Sequence, residues 1–134
     1  MKRQFAIECL DCGFVTSFNL LETACPKCGS QWREARYDYH TLGKMLPIIL
    51  AGRPFDMWRY LELLPICNYI PAISMGEGGT PLIHARNLGM MLGCPNLYIK
   101  DERQGPTNSF KDRQAALGVA AMKEAGITEA VIAS

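Results

Sequence analysis

Three things are missing from this chain, and each absence removes a class of function. It has no excess charge of one sign. Its 14 Lys and Arg stand against 13 Asp and Glu, a net charge of +1, which leaves no electrostatic footprint for nucleic acid or an anionic membrane surface. It has no long apolar run. The start, Met1-Lys2-Arg3-Gln4-Phe5, is basic but lacks the apolar stretch of a signal peptide, and no segment is long enough to span a bilayer. It also lacks a nucleotide-phosphate motif. Gly76-Glu77-Gly78-Gly79 has neither the lysine nor the spacing of a P-loop, and it stands outside the strand-to-helix context of a dinucleotide fingerprint. These absences point to a cytoplasmic protein that binds neither nucleic acid nor membrane. In that compartment thiols stay reduced, so paired cysteines suggest a metal. With 134 residues, 49% of them hydrophobic and 20% charged, the chain reads as one ordinary globular unit rather than a disordered one.

What is present begins with cysteine. Cys9-Leu10-Asp11-Cys12-Gly13 and Cys25-Pro26-Lys27-Cys28-Gly29 are two Cys-x-x-Cys pairs. Each folds naturally into a knuckle offering two thiolates, and two knuckles suit a tetrahedral zinc ion. The glycine after each second cysteine suits the positive-φ exit of such a knuckle. Phe14 to Phe18 and Gln31 to Tyr39 read as short antiparallel strands. Residues 1–39 are thus expected to form a zinc-ribbon-like module, with Cys9, Cys12, Cys25 and Cys28 as ligands. So few residues bury little core, so the metal would supply the stability. A catalytic zinc keeps an open position, so this one reads as structural. Two disulfides, or a ribbon without its ion, are the alternatives.

Residues 40–75 read as a linker. Leu42 to Leu46 suggests a short helix ending before Pro47. In Met57-Trp58-Arg59-Tyr60-Leu61-Glu62-Leu63-Leu64-Pro65, the residues Trp58, Leu61 and Leu64 recur at helical spacing, so this segment is expected to pack on the core. Gly76 to Gly79 reads as a flexible turn before a strand starting near Pro81. Arg86 to Leu92 reads as a short helix closed by Gly93. His84 is a lone histidine expected to be structural, and Cys67 and Cys94 are expected to be buried free thiols.

From Leu97 onward the pattern becomes strand, loop, helix, strand. Leu97 to Lys100 is strand-like, a small-residue helix runs from Gln114 to Ala125, and Thr128 to Ser134 reads as a buried strand. That order predicts a βαβ unit, with the alanine face of the helix against a parallel sheet. The chain stops on its last strand with no closing element, so it reads as cut short. Between the first strand and the helix lies Gly105-Pro106-Thr107-Asn108-Ser109-Phe110-Lys111-Asp112-Arg113. Ser109 with Asp112 three residues later predicts an N-cap at Ser109. Lys111 then falls in the first helical turn, where the macrodipole opposes its charge. Burial against Phe110 and the sheet would oppose that charge further. Both effects favour a neutral amine able to attack an aldehyde.

Pro106-Thr107-Asn108-Ser109-Phe110-Lys111-Asp112-Arg113, with Lys100-Asp101-Glu102 before it, resembles the cofactor-lysine segment of fold type II pyridoxal-phosphate enzymes, and within them the threonine synthase family. Met57-Trp58-Arg59-Tyr60 to Pro65 and Gly76-Glu77-Gly78-Gly79-Thr80-Pro81-Leu82 resemble two further segments of that family in the same order. The resemblance implies an α/β protein. A small N-terminal zinc ribbon would precede the start, at residues 76–134, of a three-layer αβα domain of the tryptophan synthase β-like class. It implies pyridoxal 5'-phosphate held by Lys111, the catalytic and cofactor-binding residue. It also implies conversion of O-phosphohomoserine and water to threonine and phosphate, and a homodimer at full length. The 134-residue chain alone is expected to be inactive. The family more often has Asn-Pro-Thr-Gly before the serine, so Gly105 and Asn108 have changed places. Both residue types tolerate positive φ, and the turn is expected to survive. Asp112 and Arg113 are expected to be a charge pair at the helix start. A related enzyme such as a cysteate synthase or a serine/threonine dehydratase is one rival reading. A non-catalytic zinc-ribbon interaction module is another.

Overall fold

The computed structural model describes residues 5–68 and 73–132. Phe5, Ile7 and Cys9 alternate inward along β1 (Phe5–Cys9), as a strand with one covered face requires. β1 pairs antiparallel with both β2 (Val15–Thr16) and β3 (Arg33–Tyr37), giving the order β2-β1-β3. Phe5 meets Phe18 and Tyr37, each with ring centroids 5.8 Å apart. The two expected strands are present in shortened form. Gly13 (φ 67°) and Gly29 (φ 77°) exit the two knuckles in the left-handed region. Their amides donate to the carbonyls of Cys9 (2.9 Å) and Cys25 (2.8 Å).

Asp38 caps α1 (Tyr39–Ala51) by accepting from the Thr41 amide at 3.0 Å and its hydroxyl at 2.6 Å. The helix does not stop before Pro47 but runs through it. Pro47 forfeits one hydrogen bond and crowds the carbonyl four residues back, which belongs to Gly43, a residue with open space around it. Beyond α1, Arg53 holds Glu62 with both terminal nitrogens at 2.7 and 2.6 Å. Arg59 donates to the Leu50 carbonyl at 2.8 Å. These contacts fasten the 3-10 helix Met57–Leu63, whose cap is Asp56.

The core gathers on Trp58. Met57, Trp58 and Ile66 pack with Ala116, Ala120 and Ala121 of α3 (Asp112–Glu124), and Leu20, Leu61, Leu64, Ile73 and Leu117 close around them. The small-residue face of α3 therefore packs on the tryptophan segment and not on a parallel sheet. Alanines bring the helix backbone close enough for a large indole to fill the gap. β4 (Leu82–His84) pairs antiparallel with β5 (Tyr98–Lys100) across the short helix α2 (Arg86–Met91). Gly93 (φ 69°) follows α2, and Gly126 (φ 73°) ends α3 as expected. There the Gly126 amide bonds the Lys123 carbonyl (3.1 Å) and the Ile127 amide that of Met122 (2.9 Å).

The expected strand from Thr128 is not formed over residues 128–132, and Ala133 and Ser134 lie outside the described residues. Val131 and Ile132 are almost wholly exposed. A strand apolar on both faces forms only between paired neighbours, and among the described residues β4 and β5 offer it none. The parallel βαβ unit is accordingly not formed by these residues, although the mixture of helix and strand is α/β.

Trp58 is 3% exposed, and its indole nitrogen donates to Ser74 Oγ (3.0 Å) and Glu77 Oε2 (3.3 Å). Trp58→Ala should therefore cost about 3–5 kcal/mol, read as a lower urea midpoint. Trp58→Phe should recover part of that loss while leaving the indole's two acceptors short of a donor.

Candidate functional site

Two constellations carry chemistry. In the first, the sulfurs of Cys9, Cys12, Cys25 and Cys28 all lie within 4.8 Å of one another. The sequence-predicted ligands are thus brought together, Cys9 from the end of β1, Cys12 from the turn after it, and two from the turn before β3. Cys9 and Cys28 approach to 3.6 Å, and Cys12 and Cys25 to 3.7 Å. A tetrahedral ion with bonds of about 2.3 Å would place its sulfurs about 3.8 Å apart. Cys9, Cys12, Cys25 and Cys28 are free thiols, so the disulfide alternative is not realised. Burial pushes the Cys9 thiol up, but the Cys12 and Asp11 amides and the neighbouring thiols bring it down to about 7. At Cys28 the Ser30 amide pulls downward, but the Cys12 thiol, burial, and the Cys9 and Cys25 thiols together push it up to about 12. One thiolate among four crowded thiols makes the next harder to form, which is the electrostatic problem a divalent cation removes.

The second constellation surrounds Lys111. Lys111 is the cap residue of α3 (φ −72°, ψ −14°), and its amide donates to Ser109 Oγ at 3.2 Å. Ser109 is thus not the N-cap, and its hydroxyl closes a two-residue turn instead. The Asp112 amide donates to the Ser109 carbonyl (3.2 Å), but its side chain does not answer Ser109. Its carboxylate reaches back to the Thr107 amide (3.0 Å) and the Thr107 hydroxyl. The exchange of Gly105 and Asn108 makes sense here. Asn108 takes the left-handed position (φ 58°), which asparagine tolerates. Gly105 leaves room for the Asp112 carboxylate, which a Cβ at position 105 would strike.

Lys111 itself is exposed, and Phe110 is 69% exposed. The burial expected from Phe110 and the sheet is not found. An open cleft of about 410 Å³ lies between Ile99–Arg103 and Asn108–Phe110. Asp112 and Arg113 are not a pair. Arg113 instead grips Glu102 through Nε to Oε2 (2.9 Å) and Nη2 to Oε1 (3.0 Å). The Arg113 guanidinium, then the Thr80 hydroxyl, draw the Glu102 carboxyl down to about 2. Its stabilising effect is whole above the ordinary carboxylate range and is lost as the pH falls from there toward about 2.

Several residues important to this geometry were not legible in the sequence. The loop 76–79 reads as flexible, yet Glu77 is 3% exposed and accepts from Ser74 Oγ (2.7 Å), the Met75 amide (2.9 Å) and Trp58. Burial pushes the Glu77 carboxyl up, but those donors bring it below its ordinary value. Gly78 (φ 98°) and Gly79 (φ 63°) lie against the backbone of Phe55–Met57, where no Cβ fits. Three glycines around one acid were the available signal. His84 is structural as expected, bonded to the Pro95 carbonyl (2.9 Å) and stacked on Tyr98 at 4.7 Å. Cys67 is half-buried, but Cys94 is exposed, against expectation, because the turn after α2 holds it at the surface. Among the described residues no helix is long and apolar enough to cross a membrane.

The segment carrying Gly76–Gly79, the clamped Glu102 and Lys111 has a recognisable counterpart. Residues 73–134 match the model of the pyridoxal-phosphate dependent enzymes. Within it, the similarity is to threonine synthases, and it runs through the cysteine module as well. The chain is 38% identical over 121 residues to a threonine synthase of Methanocaldococcus jannaschii, which covers 90% of this chain and 29% of that protein. It is 32% identical over 130 residues to one from Methanosarcina acetivorans, covering 97% of this chain and 31% of that protein. With a threonine synthase of Halalkalibacterium halodurans the figure is 43% over 84 residues, covering 59% of this chain and 23% of that protein. The chain thus spans under a third of the length of these relatives. No solved structure gives a significant match.

Proposed function

We propose that this chain forms the N-terminal, cofactor-lysine part of a threonine synthase that converts O-phosphohomoserine and water to threonine and phosphate. The observation that carries the reading is Lys111, an exposed primary amine held at the cap of α3 inside the family-matched segment. The residues present fit pyridoxal phosphate in this respect: an aldehyde needs a reachable amine, and Asn108 and Ser109 line an open cleft beside it. When bound, that cofactor supplies an electron sink for the substrate's carbon skeleton. Lys111 holds it and moves protons at the substrate carbons. Cys9, Cys12, Cys25 and Cys28 hold a structural zinc that folds residues 1–39, and residues 76–134 begin the three-layer cofactor domain.

The similarity of nearly the whole chain to threonine synthases supports this substrate over that of a cysteate synthase, whose phosphate leaves from phosphoserine. A polypeptide carrying this chain at its relatives' full length should release phosphate from O-phosphohomoserine and form threonine. Release from O-phosphoserine alone would move the assignment to the sister enzyme. Release from neither, by folded and cofactor-loaded protein, would leave the dehydratase and interaction-module readings standing.

A further inference from the structure

Side chains from three separate stretches meet behind the Lys111 turn. Thr80 leads into β4, Glu102 follows β5, and Arg113 is the second residue of α3. Besides the two Arg113–Glu102 bonds, Glu102 Oε1 accepts from the Thr80 hydroxyl at 2.6 Å, and that same hydroxyl accepts from Arg113 Nη2 at 3.2 Å. Lys100 donates to the Thr80 carbonyl from the neighbouring strand. We infer that Glu102, Arg113 and Thr80 form a positioning clamp that fixes the head of α3, and with it the Lys111 amine, against the β4–β5 sheet. This inference rests on Lys111 being the cofactor lysine.

The loop's own bonds cannot do this. Asn108 to Gly105 (3.1 Å) and Thr107 to Asp112 set the shape of residues 105–112 but not their place on the sheet. Pro106, Thr107, Asn108, Phe110 and Lys111 are all exposed, so packing does not place the loop either. The buried residues of α3 begin only at Ala116 and pack with Trp58. Arg113 and Glu102 are 34% and 28% exposed, and what their bidentate contact adds beyond stability is a fixed direction. A guanidinium fork fixes orientation as well as distance, which an ammonium would not. Orientation matters where a reacting amine must be delivered to one point. Glu102 and Arg113 are therefore positioning residues that act through Lys111.

The test uses the 134-residue chain treated with limiting pyridoxal 5'-phosphate and cyanoborohydride, followed by peptide mass spectrometry. The readout is the ratio of label at Lys111 to label at Lys123, at the far end of the same helix. Glu102→Gln and Arg113→Lys should each lower that ratio about tenfold. The double variant should lower it no further, and the thermal midpoint should stay near wild type. Amide exchange should quicken at the first turn of α3 and not at its last. Should Arg113→Lys fail to fold, Thr80→Val, which removes one hydroxyl, carries the same test with a smaller expected loss. A wild-type preference for Lys111 that survives intact in Glu102→Gln overturns the clamp alone. A wild-type chain that labels Lys111 no more than Lys123 overturns the cofactor-lysine reading, and the clamp's purpose falls with it.

Discussion

Stripping zinc from the loaded chain is expected to unfold residues 5–37 while α3 stays packed on Trp58. The buried apolar side chains of the cysteine module are few: Phe5, Ile7, Cys9 and Cys25. Two of those four are the proposed ligands themselves. A sheet with so little interior does not repay the entropy of ordering it. Structural zinc contributes about 10–16 kcal/mol in small zinc-binding folds near neutral pH, far more than any single side chain here. Protein purified without added metal should contain one zinc per chain. It should hold four thiols unreactive to a thiol reagent until a strong chelator is added, and it should then lose the far-ultraviolet signature of the sheet. Cys9→Ser should reproduce the loss, because Cys9 is 1% exposed and sits at the end of β1. A sheet that persists in chelator would sink the prediction. So would zinc-free protein whose sulfurs have joined as Cys9–Cys28 and Cys12–Cys25, pairs that lie 3.6 and 3.7 Å apart.

The cysteine module was legible in the sequence because its constraints are local. Two knuckles, their glycine exits and the flanking strands all follow from spacing within a few residues. The last turn of α3 was legible for the same reason: Gly126 ends a helix wherever that helix packs. The head of α3 was less so. Ser109 and Asp112 have the spacing of a capping pair, yet Thr107 competes for the Asp112 carboxylate with both an amide and a hydroxyl, and it wins. Nothing in a window of four residues announces that competition.

What α3 packs against was not legible at all. Its alanine face fits a sheet or an indole equally well, and the choice depends on Trp58, more than fifty residues earlier. Glu77 and Glu102 share this difficulty. Each is a charged residue whose partners, Trp58 for one and Thr80 and Arg113 for the other, are distant in sequence. Even the helix through Pro47 turns on a pairing, with Gly43 four residues before it, that propensity alone does not weigh.

Lys111→Ala, in a polypeptide carrying this chain at its relatives' full length, is expected to abolish covalent retention of pyridoxal phosphate and to reduce turnover by about a thousandfold or more. Proton transfer alone accounts for about 10²–10⁴-fold where one side chain performs it, and here the same amine also holds the cofactor. Borohydride reduction of the wild-type protein should leave the label on a single peptide, the one containing Lys111. The structure makes Lys100 the informative control. Its ammonium already donates to the Thr80 carbonyl, so it is committed to joining β5 to the stretch before β4. Lys100→Ala should therefore loosen that junction while leaving the label on Lys111. Lys123 is a second control, because it lies in the last turn of α3, at the far end from Lys111. The exposed position of Lys111 sharpens the expectation. The amine stands at the exposed start of α3, and the clamp is what fixes its position there. A label found on Lys100 or Lys123 after reduction would mean that the Ser109-Phe110-Lys111 motif has been misassigned, and the catalytic role given to Lys111 would fall with it.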